Sequence, residues 1–217
     1  MIEYIKCDGE GYCEQCPDKV RADCCLKSAG IDRPETILAL DPGISRTGWV
    51  IYANGEILSL GVIKTKKDKA ARITDDNQRR ISEIAARIGQ FLQGTRITRI
   101  AAELPTGGAR SQRAAVAMAA NSAMIATIAA IYGRPIDYCS PQMVKLALSG
   151  ETSASKEEMI QAAVDYADDL SFNEKGKIMY NGDIYGTGDF EHIADAIGVL
   201  VATKKARGLD YGGTAKG

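Results

Sequence analysis

Residues 37–48 read ILALDPGISRTG, and this stretch constrains the fold more than any other part of the chain. Four apolar residues run directly into Asp41 and then into Pro42-Gly43, which is the pattern of a buried strand that ends in a turn. A second β-rich run begins at Thr47, so the turn joins two strands. Asp41 is therefore expected at the edge of a sheet, either as a site residue or as an ordinary turn-initiating Asp.

The residues that follow predict a three-stranded antiparallel meander and then a helix. Val, Ile and Leu are frequent in 48–52 and 56–64, and Asn54-Gly55 between these runs is typical of a tight hairpin. Apolar residues at helical spacing then predict an amphipathic helix over 75–93, which Gly94 ends.

Glu103 repeats the pattern of Asp41, because it ends an apolar strand predicted over 97–102 and is followed by Leu104-Pro105 and a Gly-rich turn. If this strand lies parallel to the first strand and beside it, the two acids reach the same point in space. By itself Glu103 slightly favours a solvent-exposed strand end. The pair of strand-terminal acids favours a site.

The second half of the chain is predicted to be mostly helical. Residues 111–131 are Ala-rich and predict a largely buried helix, which a short strand over 135–139 follows. The segment 170–188 is polar and rich in Gly, which indicates an irregular insertion and is compatible with a mobile loop near the site. Three helices complete the prediction. The first, over 142–148, carries Lys145, and the second opens with a capping box at Ser155 and carries Lys156. The third, over 189–202, places His192, the only histidine, one turn from Asp195.

Length and composition fit one main domain with a small appendage, since the chain has 217 residues, 45% of them hydrophobic. The net charge of -1 does not indicate a nucleic-acid-binding protein. Residues 1–36 hold 5 basic and 8 acidic residues, which leaves 22 basic and 20 acidic residues in the remainder. The basic residues there are either solvated surface or phosphate contacts, and they lie at 64–72, Arg79-Arg80, Arg110, Arg113 and 204–207.

The sequence favours a cytoplasmic protein of a bacterial or phage-infected cell, with no membrane partner. No apolar run is expected to reach the roughly 18 residues that span a bilayer. The first six residues also lack the basic and apolar regions of a signal peptide.

Five of the six cysteines, Cys7, Cys13, Cys16, Cys24 and Cys25, lie in the first 25 residues. In a reducing compartment this spacing, which includes one CxxC pair, favours a metal site over disulfides. Four thiolates drawn from the five would hold a structural Zn²⁺, and an iron-sulfur cluster or unliganded thiols are the alternatives. The sixth, Cys139, lies in an apolar segment and is expected to be an inert core thiol.

Three motifs together resemble the RuvC family of Holliday-junction resolvases: LDPGISRTGW at 40–49, AAE at 101–103 and HIADAI at 192–197. The resemblance implies an α/β RNase H-like fold, with a mixed five-stranded sheet flanked by helices. It covers about residues 36–207, which leaves a Cys-rich arm and linker at 1–35 and a flexible Gly-rich tail at 208–217.

The same resemblance implies a catalytic cluster and a substrate. Asp41, Glu103, His192 and Asp195 correspond to the family's metal ligands, and Lys145 and Lys156 fall where the family has lysines near the scissile phosphate. The family further implies branched DNA, especially four-way junctions, as the substrate, and a homodimer that makes paired nicks. One departure is that no aromatic residue follows Glu103, where some relatives insert one between bases.

The chemistry is coherent with that assignment, because phosphodiester hydrolysis needs a nucleophilic water and relief of charge, which two divalent ions about 4 Å apart supply. Oxygen ligands and one imidazole suit Mg²⁺ or Mn²⁺. We expect Asp41 to bridge two ions, which Glu103, Asp195 and His192 complete. Two alternatives are a branched-DNA-binding module that does not cleave, and an actin-like or sugar-kinase-like ATPase, whose phosphate loop also resembles the stretch after Asp41.

Overall fold

The computed structural model describes residues 35–104 and 111–209. Within these ranges the chain forms a five-stranded mixed sheet with helices on both faces, and a separate three-stranded sheet. The large sheet consists of β1 (Ile37–Asp41), β2 (Arg46–Ala53), β3 (Glu56–Lys64), β4 (Arg99–Glu103) and β5 (Ile136–Cys139). The helices are α1 (Ile73–Gly94), α2 (Gln112–Ile131), α3 (Pro141–Ser149), α4 (Lys156–Tyr166) and α5 (Thr187–Arg207).

The strand order is β3-β2-β1-β4-β5, which confirms the predicted mixed sheet. The first three strands are antiparallel neighbours, and the hairpin between β2 and β3 turns at Asn54-Gly55, both of which have positive φ. Strand β4 lies parallel to β1, with Leu40 opposite Ala102. The predicted side-by-side arrangement of the strands that end in the two acids is therefore correct.

The central strand β1 is buried on both faces, and alternate residues contact different helices. Ile37 and Ala39 belong to the core that α3, α4 and α5 cover. Leu38 and Leu40 belong to the core beneath α1 and α2. Because side chains alternate along a strand, the residue after Leu40 points toward the α5 side of the sheet.

Residues 170–188 are not irregular, so that prediction is wrong. They contain β6 (Ser171–Phe172), β7 (Ile178–Tyr180) and β8 (Asp183–Tyr185) in one antiparallel sheet. A second Asn-Gly pair, 181–182, makes the turn between β7 and β8, again with positive φ at both residues. Ile178 is 1% exposed, and the Tyr180 hydroxyl donates to the Ile57 carbonyl at 3.1 Å, so this sheet is anchored to β3.

Helix α2 differs from the prediction in another way, because one of its faces is exposed. Val116 and Ile131 are 62% and 73% exposed. Residues Ala114–Ile131 have a mean hydropathy of 1.8 and are long and apolar enough to cross a membrane by length and composition alone, although one such helix is weak evidence. The expectation that no apolar run reaches this length is therefore wrong, since the alanines of this helix also count as apolar.

Several predictions fall on residues outside the described ranges. They are the zinc site of Cys7, Cys13, Cys16, Cys24 and Cys25, the turn after Leu104, the position of Arg110, and the tail beyond residue 209. These stay predictions. Cys139, by contrast, is described, and it is buried as expected.

Helix α5 approaches β2 most closely at Gly48, and we predict that this contact tolerates no side chain. A Cβ added at Gly48 would lie 1.9 Å from the carbonyl oxygen of His192, a backbone atom that cannot rotate away. Gly48→Ala should therefore lower the free energy of unfolding by about 1–3 kcal/mol, the usual cost of overpacking, as measured by urea denaturation.

The matched control for this prediction is Gly188→Ala in the first turn of α5, where an added Cβ meets no atom within 4 Å. If Gly48→Ala proves as stable as this control, the close approach of α5 to β2 is not a constraint.

Candidate active site

Asp41 and Glu103 lie at the same edge of the sheet and on the same face. Each is the last residue of its strand, and the two strands are parallel neighbours. Asp41 continues the series of Ile37 and Ala39, and Glu103 continues that of Ala101, all of which belong to the core beneath α5. Both carboxylates are consequently directed toward the beginning of α5.

The first two turns of α5 bring His192 and Asp195 to the same place. His192 Nδ1 lies 2.7 Å from Asp41 Oδ2, and the imidazole N–H donates to the carboxylate. Asp41 is opposite Gly48 in the β1–β2 ladder, so the glycine that admits the backbone of α5 also determines this contact. The structure therefore joins residues that are 151 positions apart.

The carboxylates are packed closely enough to disturb one another's ionisation. Burial, together with the negative charges of Asp41 and Asp195, raises the pKa of Glu103 to about 8. Burial and the charge of Asp41 raise the pKa of Asp195 to about 7. The hydrogen bond from His192 to Asp41 raises the pKa of His192 above its ordinary value. The site holds more negative charge than its own cations neutralise.

This surplus of negative charge fits a divalent cation. Mg²⁺ prefers carboxylate oxygens, and Asp41, Glu103 and Asp195 supply them beside one imidazole. In residues 35–104 and 111–209, no three His, Cys, Asp or Glu side chains already form a closed metal-binding group.

The two predicted lysines flank the acids, but they have different partners. Lys145 donates to the Ala154 carbonyl at 2.7 Å, and its charge lowers the pKa of both Glu103 and Asp195. Lys156 forms an ion pair with Glu191 at 2.6 Å. Glu191 was not singled out from the sequence, because its partner is 35 positions away.

Asp189, in the first turn of α5, is a second acid that the sequence analysis missed. Its carboxylate accepts from Arg46 Nε at 2.9 Å and from Lys64 Nζ at 2.5 Å. Hydrogen bonding to Lys64 and then to Arg46 lowers the pKa of Asp189. The ion pairs connect α5 to the beginning of β2 and the end of β3.

Arg80 was expected on a solvated basic surface, and it is instead 5% exposed. Its guanidinium donates to Thr65 Oγ1 at 2.8 Å, to Ser45 Oγ at 2.7 Å and to the Ile44 carbonyl at 3.1 Å. Asp76 lies 3.7 Å from the same guanidinium. Arg80 thus fixes the loop that follows Asp41. Sequence pattern alone does not distinguish a buried arginine of this kind from an arginine on the surface.

The remaining basic residues separate into two groups. Lys66, Lys67, Lys69 and Arg72 are exposed beyond β3, on the side of the sheet edge that holds the acids. Arg207, at the end of α5, instead pairs with Glu35 and Asp137. Of these two groups, only the first is placed to approach a ligand of this site. The side chain of Arg113 lies outside the described part of the chain.

Comparison with known proteins identifies the family. The profile of the family described as crossover junction endodeoxyribonuclease RuvC matches residues 37–175, which is more than half of the chain. The chain belongs to the RuvC family. This membership favours the resolvase interpretation of the Asp41 stretch over the actin-like alternative. The match ends before α5, so it includes Asp41, Glu103, Lys145 and Lys156 but not the two residues that α5 contributes.

Individual RuvC proteins agree with this assignment. The chain is 29% identical over 138 residues to the crossover junction endodeoxyribonuclease RuvC of Methylobacterium radiotolerans, which covers 61% of this chain and 62% of that protein. It is 31% identical over 139 residues to the same enzyme of Cutibacterium acnes, which covers 61% of this chain and 67% of that protein. The aligned region thus spans about two thirds of the length of these relatives.

Solved structures show the same fold. Thermus thermophilus RuvC in complex with a Holliday junction substrate superposes with a TM-score of 0.60 at 22% identity, over 80% of this chain and 95% of that one. The yeast mitochondrial Holliday junction resolvase superposes with a TM-score of 0.55 at 16% identity, over 78% of both chains. The predicted RNase H-like fold is confirmed.

We predict that neutralising Glu103 stabilises the metal-free protein at high pH. Its pKa is about 8 in the folded protein against an ordinary value of 4.5, so folding favours the protonated form and wild-type stability falls as the pH rises through this window. In EDTA at about pH 8.5, the melting temperature of Glu103→Gln should exceed that of the wild type by at least roughly 2–4 °C. This difference corresponds to about 1 kcal/mol in the free energy of unfolding. Near pH 4.5 the difference should disappear.

Added Mg²⁺ provides the second arm of this measurement, because bound cations remove the repulsion. Mg²⁺ should raise the melting temperature of the wild type at high pH more than that of Glu103→Gln. Glu56→Gln, which neutralises an exposed acid of the β2–β3 hairpin, is the control. A Glu103→Gln protein that melts below this control in EDTA would contradict the electrostatic account.

Proposed function

We propose that the chain is a Mg²⁺-dependent endonuclease that resolves four-way or related branched DNA junctions by paired hydrolysis of phosphodiester bonds. The observation that carries the proposal is the convergence of Asp41, Glu103, His192 and Asp195 at one sheet edge in a member of the RuvC family. Mn²⁺ is an acceptable substitute, since it takes the same oxygen and imidazole ligands. Non-cleaving recognition of branched DNA is the second candidate, and the intact set of acids argues against it.

The four residues at the centre of the site would hold two divalent ions. When bound, the ions supply a nucleophilic water and stabilise charge on the phosphoryl oxygens and the leaving group. Asp41 contacts His192 and interacts electrostatically with both Glu103 and Asp195, so it would suit a ligand that both ions share. His192 is oriented by its hydrogen bond to Asp41, and it completes or positions the second ion site.

Two lysines would steady the scissile phosphate. Lys145 is held by the Ala154 carbonyl and interacts electrostatically with Glu103 and Asp195, so its ammonium group lies beside the proposed ion sites. Lys156 begins α4 with an exposed side chain, and it must exchange Glu191 for a phosphate oxygen to play this role. Both are point charges that need no fixed angle of approach.

The DNA arms would follow the exposed basic segment at 64–72, together with the basic residues at 110–113. These contacts are with phosphates and carry no sequence information, so binding should depend strongly on salt. The substrate itself is inferred from relatives, one of which was solved with a Holliday junction. Flaps and Y-forks are the competing substrates.

The proposed homodimer is supported by the exposed face of α2. Residues 114–131 include no charged side chain, and such a face in a chain of this size is typical of a protein interface. The small side chains allow two helices to approach closely. The exposed residues of this face are Ala115, Val116, Ala119, Ala123, Ala126, Thr127, Ala130 and Ile131.

The proposed domain limits place this nuclease at 36–207, between the Cys-rich arm at 1–35 and the tail at 208–217. The end of α5 at Arg207 supports the second limit. A cytoplasmic location in a bacterial or phage-infected cell is part of the same proposal.

We predict that the wild-type protein cuts a labelled four-way junction at paired, symmetric positions in Mg²⁺ or Mn²⁺ and does not cut it in EDTA. Asp41→Asn should reduce cleavage below detection, because it removes a metal ligand, yet bind the junction at least as tightly as the wild type, because it removes a negative charge. Gel assays of cleavage and of binding measure the two effects separately.

A duplex, a flap and a Y-fork are the comparison substrates. Equal cutting of flaps and forks would indicate a broader branched-DNA nuclease with the same site. Junction binding without cleavage in any metal would instead favour the non-cleaving module, and retained cleavage by Asp41→Asn would contradict the assigned site.

We predict that Ala123→Glu, at the middle of the exposed face of α2, produces a monomer. Burying an unpaired carboxylate in an apolar contact costs roughly 3 kcal/mol, or about a 100-fold loss of dimer affinity. Light scattering measures the mass, and junction cleavage should change from paired to single nicks. Ala86→Glu, an exposed alanine of α1, is the control, and an Ala123→Glu protein that stays dimeric would exclude this face.

A further inference from the structure

Three basic side chains around the proposed site are each paired with an acid near the beginning of α5. Asp189 holds Arg46 at 2.9 Å and Lys64 at 2.5 Å. Glu191 holds Lys156 at 2.6 Å. The three cations come from β2, from the end of β3 and from the beginning of α4, so they approach α5 from separate elements.

The two acids lie on opposite sides of the proposed metal ligands. Successive residues of a helix are rotated by about 100°, so the order around α5 is Glu191, Asp195, His192 and Asp189. Asp189 therefore faces the β2–β3 side of the site, and Glu191 faces the α4 side. A phosphate chain that crosses the site must pass between the two paired groups.

These ion pairs are suited to exchange more than to stabilising the fold. The side chains of Arg46, Lys64 and Lys156 are 46%, 58% and 71% exposed. Exposed pairs contribute little to stability and are readily replaced by another anion. The buried Arg80 cluster, which fixes the neighbouring loop, differs from them in this respect.

We propose that Asp189 and Glu191 determine substrate selectivity by occupying the phosphate-binding groups Arg46, Lys64 and Lys156 until DNA supplies phosphates on both sides of α5 at once. The proposal rests on the function proposed above. All three cations are neutralised in the free protein, so DNA gains all three contacts only when its phosphates replace both carboxylates. A short linear duplex is stiff, so its phosphates lie on one straight cylinder that cannot bend around α5 without an energetic cost. A branch point, where strands diverge, can reach both sides of the helix.

The salt dependence of DNA binding tests this selectivity directly. The full chain is bound in EDTA to a labelled four-way junction and to a linear duplex of the same length. Each cation that contacts a phosphate steepens the plot of log affinity against log salt by about 0.9. For the duplex, Asp189→Asn should steepen the slope by about 2 and Glu191→Gln by about 1, with affinity at least threefold tighter. For the junction, both slopes should stay at the wild-type value.

Asp165→Asn is the matched control, because it removes the same unit of charge from an exposed acid about 14 Å further along α4 than Lys156. It should change neither slope. Each variant tests one side of α5, so a folding defect in one, detected by circular dichroism, leaves the other decisive.

The outcomes separate the two proposals. If both variants keep the wild-type preference for the junction, the proposed role of the two carboxylates is overturned, but the proposed function is not. An equal gain in affinity for the duplex and the junction would also overturn the role of the carboxylates, because a change in net charge alone has that effect. A wild-type protein that binds duplex and junction equally would contradict junction specificity itself, whatever the variants do.

Discussion

The site depends on how closely α5 lies against β2. At Gly48 the backbone of α5 occupies the volume that any other residue would fill with its Cβ. This approach places His192 within hydrogen-bonding distance of Asp41 and brings Asp195 near Glu103. The same contact creates the electrostatic problem of the site, since several carboxylates are gathered in a partly buried place where each disfavours the ionisation of the others. A divalent cation would relieve that repulsion, which supports the proposed role of these acids as metal ligands.

Two kinds of ion pair surround this contact, and they differ in burial. Arg80 and Asp76 are buried, and Arg80 holds the loop after Asp41 through hydrogen bonds to its backbone and hydroxyl groups. Such a network fixes geometry, because breaking it leaves buried polar groups without partners. The pairs formed by Asp189 and Glu191 are exposed and exchangeable. The loop is thereby held rigid while the cations at the rim remain available to an incoming anion.

Local patterns predicted most of the elements. The Asn54-Gly55 hairpin, the capping box at Ser155 and the Pro at the beginning of α3 are all present, because each depends on neighbours in the chain. The same turn signal at 181–182 was overlooked within a polar segment, so the three-stranded sheet was missed although its turn could have been found. The exposure of α2 could not be found in this way, since an apolar helix is compatible both with a core and with an interface.

The sequence by itself determined that two strands end in acids, that a histidine and an aspartate share one helical turn, and that these motifs resemble the RuvC family. Those properties follow from the period of strands and helices and from residue identity. Tertiary structure decided which face of the sheet the acids share, which basic residues are buried, and that Asp189 and Glu191 hold the cations on either side of the site. Each of these depends on contacts between residues that are 35 or more positions apart, so no local pattern contains them.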